Sequence, residues 1–241
     1  IYFHILAGTV WAVDGVDFHV DRGETFGLVG ESGCGKSMTC LSILRLVPQP
    51  AGQIAEGEIL LEGNDLLKKS EEELRRIRGS RVSMILQDPM TSLNPVFTVG
   101  NQVMESLKIH LGLRGKPLWD KAKRMLEMVR IASPEVRLKN WPHQLSGGMR
   151  QRVVGAISLS CKPRLLIADE PTTSLDATIQ MQYLRRLREI QEETGLTLIF
   201  IPHDLGIVAR MCKRAAVMYA GRIVETATVR DLFNHPAHPY T

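Results

Sequence analysis

The fold is decided by one short stretch, Gly30-Glu31-Ser32-Gly33-Cys34-Gly35-Lys36-Ser37. The segment 24–29 before it predicts a strand, and the helical spacing of Met38, Leu41 and Leu44 after it predicts a helix. Glycines at these positions permit backbone angles that turn successive N–H groups inward. The N-terminus of the following helix adds a partial positive charge. The stretch therefore predicts a phosphate-binding loop between a strand and a helix.

Three side chains in this loop have predicted roles. Lys36 is placed to reach the β- and γ-phosphates of a nucleotide, and the Ser37 hydroxyl to ligate Mg²⁺. Cys34 has two interpretations, a thiol activated by the helix N-terminus or a small tolerated residue, and the second is favoured.

Further strands and helices alternate along the chain. Strands are predicted at 58–62, 81–86, 164–169, 197–201 and 215–219, and helices around Val153–Ile157 and over Ala177–Glu193. This alternation predicts an α/β fold with a mostly parallel sheet covered on both faces. Segment 94–145 has weak strand signals and helical stretches, which predict an inserted helical lobe.

Composition narrows the class of protein. The 241 residues suit one large α/β domain or one domain with an inserted lobe. Aromatic residues make up only 5%, which argues against a stacking platform for single-stranded nucleic acid. The formal charge of +4 does not demand a polyanionic partner. The longest apolar runs fall well short of the roughly 20 residues of a membrane-spanning helix, and the four cysteines show no C-x-x-C spacing, which favours reduced thiols.

Two carboxylates end the apolar stretch 165–170. Asp169 is predicted to hold Mg²⁺ and Glu170 to orient the attacking water, because phosphoryl transfer needs mainly positioning and charge neutralisation. Gln87 directly follows the predicted strand 81–86, and His203 follows the predicted strand 197–201 after Pro202. Taken alone, Gln87 is an ordinary loop residue and His203 a surface or helix-capping residue.

The stretch Leu145-Ser146-Gly147-Gly148-Met149-Arg150-Gln151-Arg152 predicts a second anion site. Ser146 is expected to cap a helix, and the two glycines leave its N-terminus bare enough to touch a phosphate. One nucleotide needs only one cradle, so this site implies a second ligand or use in trans.

Together these motifs resemble the ATP-binding subunits of ATP-binding-cassette (ABC) transporters, over essentially the whole chain. The matches are 30–37 to Walker A, Gln87 to the Q-loop, 145–151 to the signature, 165–170 to Walker B, 174–176 to the D-loop and His203 to the switch histidine. The resemblance implies a P-loop NTPase ABC-type nucleotide-binding domain with a RecA-like core, an antiparallel β subdomain and an inserted helical subdomain. It places core and β subdomain at 1–93 and 146–241, and the helical subdomain at 94–145, within a single domain.

The resemblance also implies roles for individual residues. The cofactors are ATP and Mg²⁺; Glu170, His203 and Gln87 are catalytic, and Ser37, Gln87 and Asp169 hold the metal. The implied ATP contacts are Gly30, Ser32, Gly33, Cys34, Gly35, Lys36, Ser37, Met38, Ser146, Gly147 and Gly148, with Phe3 stacking on adenine. Ser146, Gly147 and Gly148 act on the nucleotide of a second subunit, so the working form is a head-to-tail homo- or heterodimer. The family usually has Thr at Pro202 and Ala or Thr at Ser174.

Finer features resemble the oligopeptide, dipeptide and nickel importers. They are segments 84–95, 142–146, 168–173 and His238-Pro239-Tyr240-Thr241. The resemblance implies an importer ATPase for di- and oligopeptides, or alternatively for nickel or another small solute. It implies permease partners, an indirect extracytoplasmic solute-binding protein, no nucleic acid, and a peripheral place on the cytoplasmic face of the membrane. Those relatives continue with an extension, often with iron–sulfur cysteines, so the sequence is expected to be truncated.

Two other classes fit less well. DNA-repair relatives carry a long coiled coil between Walker A and the signature, and translation relatives carry two cassettes, whereas this chain has one cassette and no sustained heptads. A metabolic kinase would not explain the second anion site at 146–148.

Overall fold

The computed structural model describes residues 1–5, 8–87, 92–173 and 175–241. The chain divides into two compact units, a first unit of Ile1–Arg75 with Ile199–Thr241 and a second unit of Arg76–Leu198. The domain limits at 93/94 and 145/146 remain predictions.

Eleven strands and nine α-helices are described in these ranges and are numbered here in chain order. The strands are β1 Tyr2–Ile5, β2 Gly8–Trp11, β3 Thr25–Val29, β4 Gly52–Gln53, β5 Leu60–Leu61, β6 Asn64–Asp65, β7 Val82–Ile85, β8 Leu165–Asp169, β9 Thr197–Ile201, β10 Arg214–Tyr219 and β11 Arg222–Thr228. The α-helices are α1 Lys36–Ile43, α2 Glu71–Ile77, α3 Val99–Leu111, α4 Gly115–Met128, α5 Pro134–Arg137, α6 Gly147–Leu159, α7 Ala177–Thr194, α8 Leu205–Met211 and α9 Val229–Asn234. Short 3₁₀ helices lie at Leu66–Lys68 and Pro142–Gln144.

The first unit is built around strand β3, which leads into the phosphate-binding loop. β10 pairs with β3 in parallel, with Ala216 opposite Leu28, and β11 pairs with β10 antiparallel. All five residues of β3 are buried, as a central strand covered on both faces requires. A separate antiparallel sheet has the order β2-β1-β4.

One predicted strand of this unit is shorter than expected. Segment 58–62 contains only β5, which pairs with β6 across a two-residue turn at Glu62 and Gly63. Both turn residues have positive φ, 50° and 79°, as a type I′ hairpin turn needs. The tight turn ends the strand two residues after it begins.

The second unit contains the other parallel pair, β7 and β8, with Ile85 opposite Ala168. Every residue of β8 is buried. Helix α7 is capped by the Asp176 carboxylate, which accepts from the Ile179 N–H, and it ends at Gly195 in the left-handed region. Its buried residues are Tyr183, Leu184, Leu187 and Ile190, and this helical spacing agrees with the helix predicted over Ala177–Glu193.

Residues 94–145 contain α3, α4, α5 and a 3₁₀ helix, and no strand lies within this fully described stretch. The predicted helical character is confirmed, and its function as a docking lobe remains a prediction. Within the described ranges, no helix is both long and apolar enough to cross a membrane.

Candidate functional site

The loop between β3 and α1 is shaped by close packing against two backbone carbonyls. A Cβ on Gly30 would lie 2.2 Å from the Met218 carbonyl oxygen, and one on Gly35 would lie 2.4 Å from that of Ala12. Gly30 and Gly35 also have φ of 148° and 105°, which L side chains rarely adopt. No other residue type fits either position without moving the backbone.

The carbonyl groups at the end of the loop point towards protein donors. The Cys34 carbonyl accepts from the Gly221 N–H at 3.0 Å, and the Gly35 carbonyl accepts from the N–H of Thr39 at 2.8 Å and from its hydroxyl at 2.9 Å. In a trans peptide the N–H points opposite to the carbonyl. The N–H groups of Gly35 and Lys36 therefore face away from these partners, as an anion nest requires.

Lys36 places a cation within this loop. Its Nζ donates to the carbonyl oxygens of Gly30 and Glu31, both at 2.7 Å, and lies 3.7 Å from the Cys34 sulfur. The residue is only 7% exposed, so the aliphatic part is packed and the ammonium is held by defined acceptors. The arrangement provides a fixed positive charge within the loop that also contains the Gly35 and Lys36 N–H groups, which suits polyphosphate.

In the second unit, the predicted carboxylates lie where two parallel strands end. Asp169 is the last residue of β8 and is 4% exposed, and Glu170 follows it. Gln87 lies two residues beyond β7, and its Nε2 donates to Glu170 Oε2 at 2.9 Å. Because a carboxylate only accepts, the amide nitrogen must face Glu170, and the Gln87 amide oxygen points the other way.

Glu170 is held in an uncommon backbone conformation. Its φ is 44°, in the left-handed region, which costs on the order of 1 kcal/mol for a residue with a Cβ. Thr173 stabilises this turn, since its hydroxyl donates to Glu170 Oε2 at 3.1 Å and its N–H to the Glu170 carbonyl at 3.3 Å. The carboxylate is thus oriented by donors from two segments, Gln87 and Thr173.

Helix α6 begins at the predicted second anion site. The Ser146 side chain caps the helix, accepting from the Met149 N–H at 3.4 Å, so the predicted cap is confirmed. Gly147 is exposed with open space where a Cβ would project, whereas a Cβ on Gly148 would lie 2.7 Å from Ile179 Cγ2. The absence of a side chain at Gly148 therefore allows α7 to pack closely against the start of α6. The absence of one at Gly147 leaves the N-terminus of α6 exposed to solvent.

The remaining predicted residues have simpler surroundings. His203 is exposed. It follows the buried Pro202 and precedes Asp204, whose side chain caps α8. Asp176 of the predicted D-loop caps α7, while Ser174 and the stretch Asp88–Thr91 lie outside the described residues. Because His203 and Glu170 belong to different units, the predicted link between them remains a prediction.

Two side chains near the predicted sites were not anticipated. The Thr173 hydroxyl donates a hydrogen bond to Glu170. The sequence feature that could have indicated it is a hydroxyl residue three positions after a carboxylate at the end of a strand. Trp11, on β2, is 57% exposed and immediately precedes Ala12, whose carbonyl packs against Gly35. Recognising Trp11 required the pairing of β1 with β2, which brings its ring 5.4 Å from that of Tyr2.

The chain has the features of a P-loop nucleotide hydrolase. They are a glycine-containing phosphate loop, a lysine held within that loop, and two adjacent carboxylates at the end of a buried strand. The family model described as ABC transporter matches residues 13–173. The chain therefore belongs to the ABC transporter family as an ATP-binding domain, and the predicted family is confirmed. It binds ATP and hydrolyses it.

Individual relatives agree with this assignment. A probable peptide ABC transporter ATP-binding protein of Sinorhizobium fredii is 56% identical over 95% of this chain and 69% of its own length. The oligopeptide transport ATP-binding protein OppD of Bacillus subtilis is 52% identical over 100% of this chain and 67% of its own length. A dimeric, post-hydrolysis structure of the ATP-binding cassette MJ0796 with ADP and Pi has a TM-score of 0.84 at 26% identity, covering 95% of each chain. The predicted fold class is confirmed.

Proposed function

We propose that this chain is the ATP-hydrolysing subunit of an importer for di- and oligopeptides, bound to the permease at the cytoplasmic face of the membrane. The observation that carries the proposal is identity above 50% along nearly the whole chain to ATPases named for peptide and oligopeptide transport. In the hydrolytic step, the Glu170 carboxylate, held by Gln87 and Thr173, would orient the attacking water and accept its proton.

The proposed working form is a head-to-tail pair. The chain has a complete phosphate loop and also a second open helix N-terminus at Ser146 and Gly147. An exposed helix N-terminus attracts phosphate, and a second chain's nucleotide is the ligand proposed for it. The cassette MJ0796, similar in fold, forms a dimer in its ADP and Pi complex. Closure of the pair on ATP would then drive the permease, and hydrolysis would release it.

The proposed metal is Mg²⁺, held by Ser37, Gln87 and Asp169 together with phosphate oxygens. Hydroxyl, amide and carboxylate oxygens are the ligands that Mg²⁺ prefers. Asp169 is a buried carboxylate at the end of β8, and the Gln87 amide oxygen faces away from Glu170. When bound, the metal would neutralise charge on the transferred phosphoryl group.

The adenine contact has two candidates on opposite faces of the β2-β1-β4 sheet. Phe3 is the predicted residue, and its ring packs where a Cβ on Gly52 would lie only 2.6 Å from it. Tyr2 and Trp11 pair on the other face, and Trp11 is more than half exposed. The packing of Phe3 and the exposure of Trp11 favour Trp11 as the stacking residue.

We therefore expect Trp11→Ala to weaken ATP binding about tenfold, the loss typical of one aromatic–base stack. Phe3→Ala should instead lower the melting temperature through lost packing and change ATP affinity less than threefold. Titration of both variants with ATP measures the loss of affinity, and thermal melts of both variants measure the loss of stability. A tenfold loss of affinity with Phe3→Ala and none with Trp11→Ala would assign stacking to Phe3.

Peptide import is tested on the complex of this protein with its permease and solute-binding protein, reconstituted in vesicles. ATP hydrolysis should rise severalfold when di- or oligopeptides are present with the binding protein, and should not respond to Ni²⁺. The complex carrying Glu170→Gln is the matched control for turnover by this subunit. Stimulation by Ni²⁺ alone, or recovery of ribosomes or DNA in place of membrane subunits, would contradict the proposal.

A further inference from the structure

The end of the chain contacts the phosphate-binding loop. The Tyr240 hydroxyl accepts a hydrogen bond from the Glu31 N–H at 2.9 Å. The Tyr240 ring lies against the Tyr219 ring, with centroids 4.7 Å apart. Tyr219 follows Met218, whose carbonyl packs against Gly30. A residue 209 positions away in sequence thus contacts both the loop and the strand beneath it.

This segment is anchored by one carboxylate. Glu225, on β11, accepts from the N–H of Ala237 at 2.8 Å and from the N–H of His238 at 3.0 Å. The His238 ring then accepts from the Tyr240 N–H at 3.2 Å, which fixes the direction in which Tyr240 leaves the turn. Hydrogen bonds to an ionised carboxylate are about twice as strong as neutral ones, so the two bonds to Glu225 stabilise this turn.

Tyr240 and Lys36 hold opposite edges of the same peptide group. The peptide between Gly30 and Glu31 donates its N–H to Tyr240 and accepts at its carbonyl from the Lys36 ammonium at 2.7 Å. Rotation of this peptide is easier at a glycine than at any other residue. Such a rotation would remove an acceptor from Lys36 and move its ammonium within the loop.

We propose that Tyr240 is a positioning residue for nucleotide binding, which prevents rotation of the Gly30–Glu31 peptide and so keeps Lys36 placed for phosphate. Glu225 acts through Tyr240 by holding the turn. Because a loop that is already ordered loses less entropy on binding, the hydroxyl increases ATP affinity without touching ATP. Binding linkage is reciprocal, so ATP also strengthens attachment of this segment to the loop.

The test is Tyr240→Phe in the intact protein, which keeps the ring beside Tyr219 and removes only the hydroxyl. We expect the Kd and KM for ATP to rise about fivefold, the effect of one lost neutral hydrogen bond, with kcat changed less than twofold. Hydrogen exchange at the Glu31 amide should accelerate. Tyr219→Phe, which removes the hydroxyl of the partner ring, should leave ATP affinity unchanged.

Glu225→Gln provides the second arm. It should raise the KM for ATP in the same direction, and the double variant with Tyr240→Phe should be no worse than the weaker-binding single variant, because both act through one contact. Unchanged ATP affinity in Tyr240→Phe, with only a lower melting temperature, would overturn the inference. So would additive effects of the two substitutions. Neither result would affect the assignment of the chain as an ATPase, which rests on the match to the ABC transporter family model.

Discussion

The Glu170→Gln protein is expected to bind ATP normally and to lose hydrolysis by at least about 100-fold, the typical contribution of a general base. The substitution is close to isosteric, and its amide oxygen can still accept from Gln87 and from the Thr173 hydroxyl. What disappears is the capacity to take a proton from water. The loss should therefore fall on kcat, with the KM for ATP nearly unchanged.

Two measurements check this expectation. Phosphate release gives the loss of turnover, and size-exclusion chromatography with ATP should show dimers that persist because the nucleotide is not consumed. Thr173→Val is the matched control, since it removes one donor to Glu170 but keeps the carboxylate, and it should slow turnover no more than about tenfold. Hydrolysis at the normal rate in Glu170→Gln would remove Glu170 from the proposed chemistry.

The parts of this site that the sequence predicted are local in the chain. The phosphate loop lies within eight consecutive residues, and its glycines, lysine and flanking strand and helix are each visible as spacing. Strand β8 is readable because a strand buried on both faces is continuously apolar. The Ser146 cap of α6 and the helical spacing of apolar residues in α7 are similarly local, and the structure confirms both.

The parts that the sequence did not predict depend on pairing between distant segments. Strand β4 has only two residues, and it is defined by its pairing with β1, where Gly52 lies opposite Phe3. The pairing of Tyr2 with Trp11 puts Phe3 on the opposite face of the sheet, and a shift of one residue would exchange those faces. The hydrogen bond from the Glu31 N–H to the Tyr240 hydroxyl joins residues that are 209 positions apart in the sequence. Local propensity contains no information on such contacts.

The second large effect is expected at Lys36. In Lys36→Ala, ATP affinity should fall about 30-fold or more, because charge-assisted hydrogen bonds contribute about 2 to 3 kcal/mol. Part of the loss comes from the loop itself, since the ammonium also holds the carbonyls of Gly30 and Glu31. Isothermal titration with ATP and with ADP measures it. The loss should be smaller for ADP, which lacks the γ-phosphate that Lys36 is proposed to contact.

Lys36→Met separates charge from packing, since it keeps an apolar stem in a position only 7% exposed and removes the ammonium. If the charge carries the binding, Lys36→Met and Lys36→Ala should lose ATP affinity alike. Both variants lose the hydrogen bonds to the Gly30 and Glu31 carbonyls, and Lys36→Ala should lose more stability because it also opens a cavity. Lys68→Ala is the surface control, because that side chain is 82% exposed, and it should bind ATP normally. Full ATP affinity in Lys36→Met would show that the backbone N–H groups of the loop alone hold the phosphates. The positioning role proposed for Tyr240 would then have to act on those N–H groups and not on the lysine.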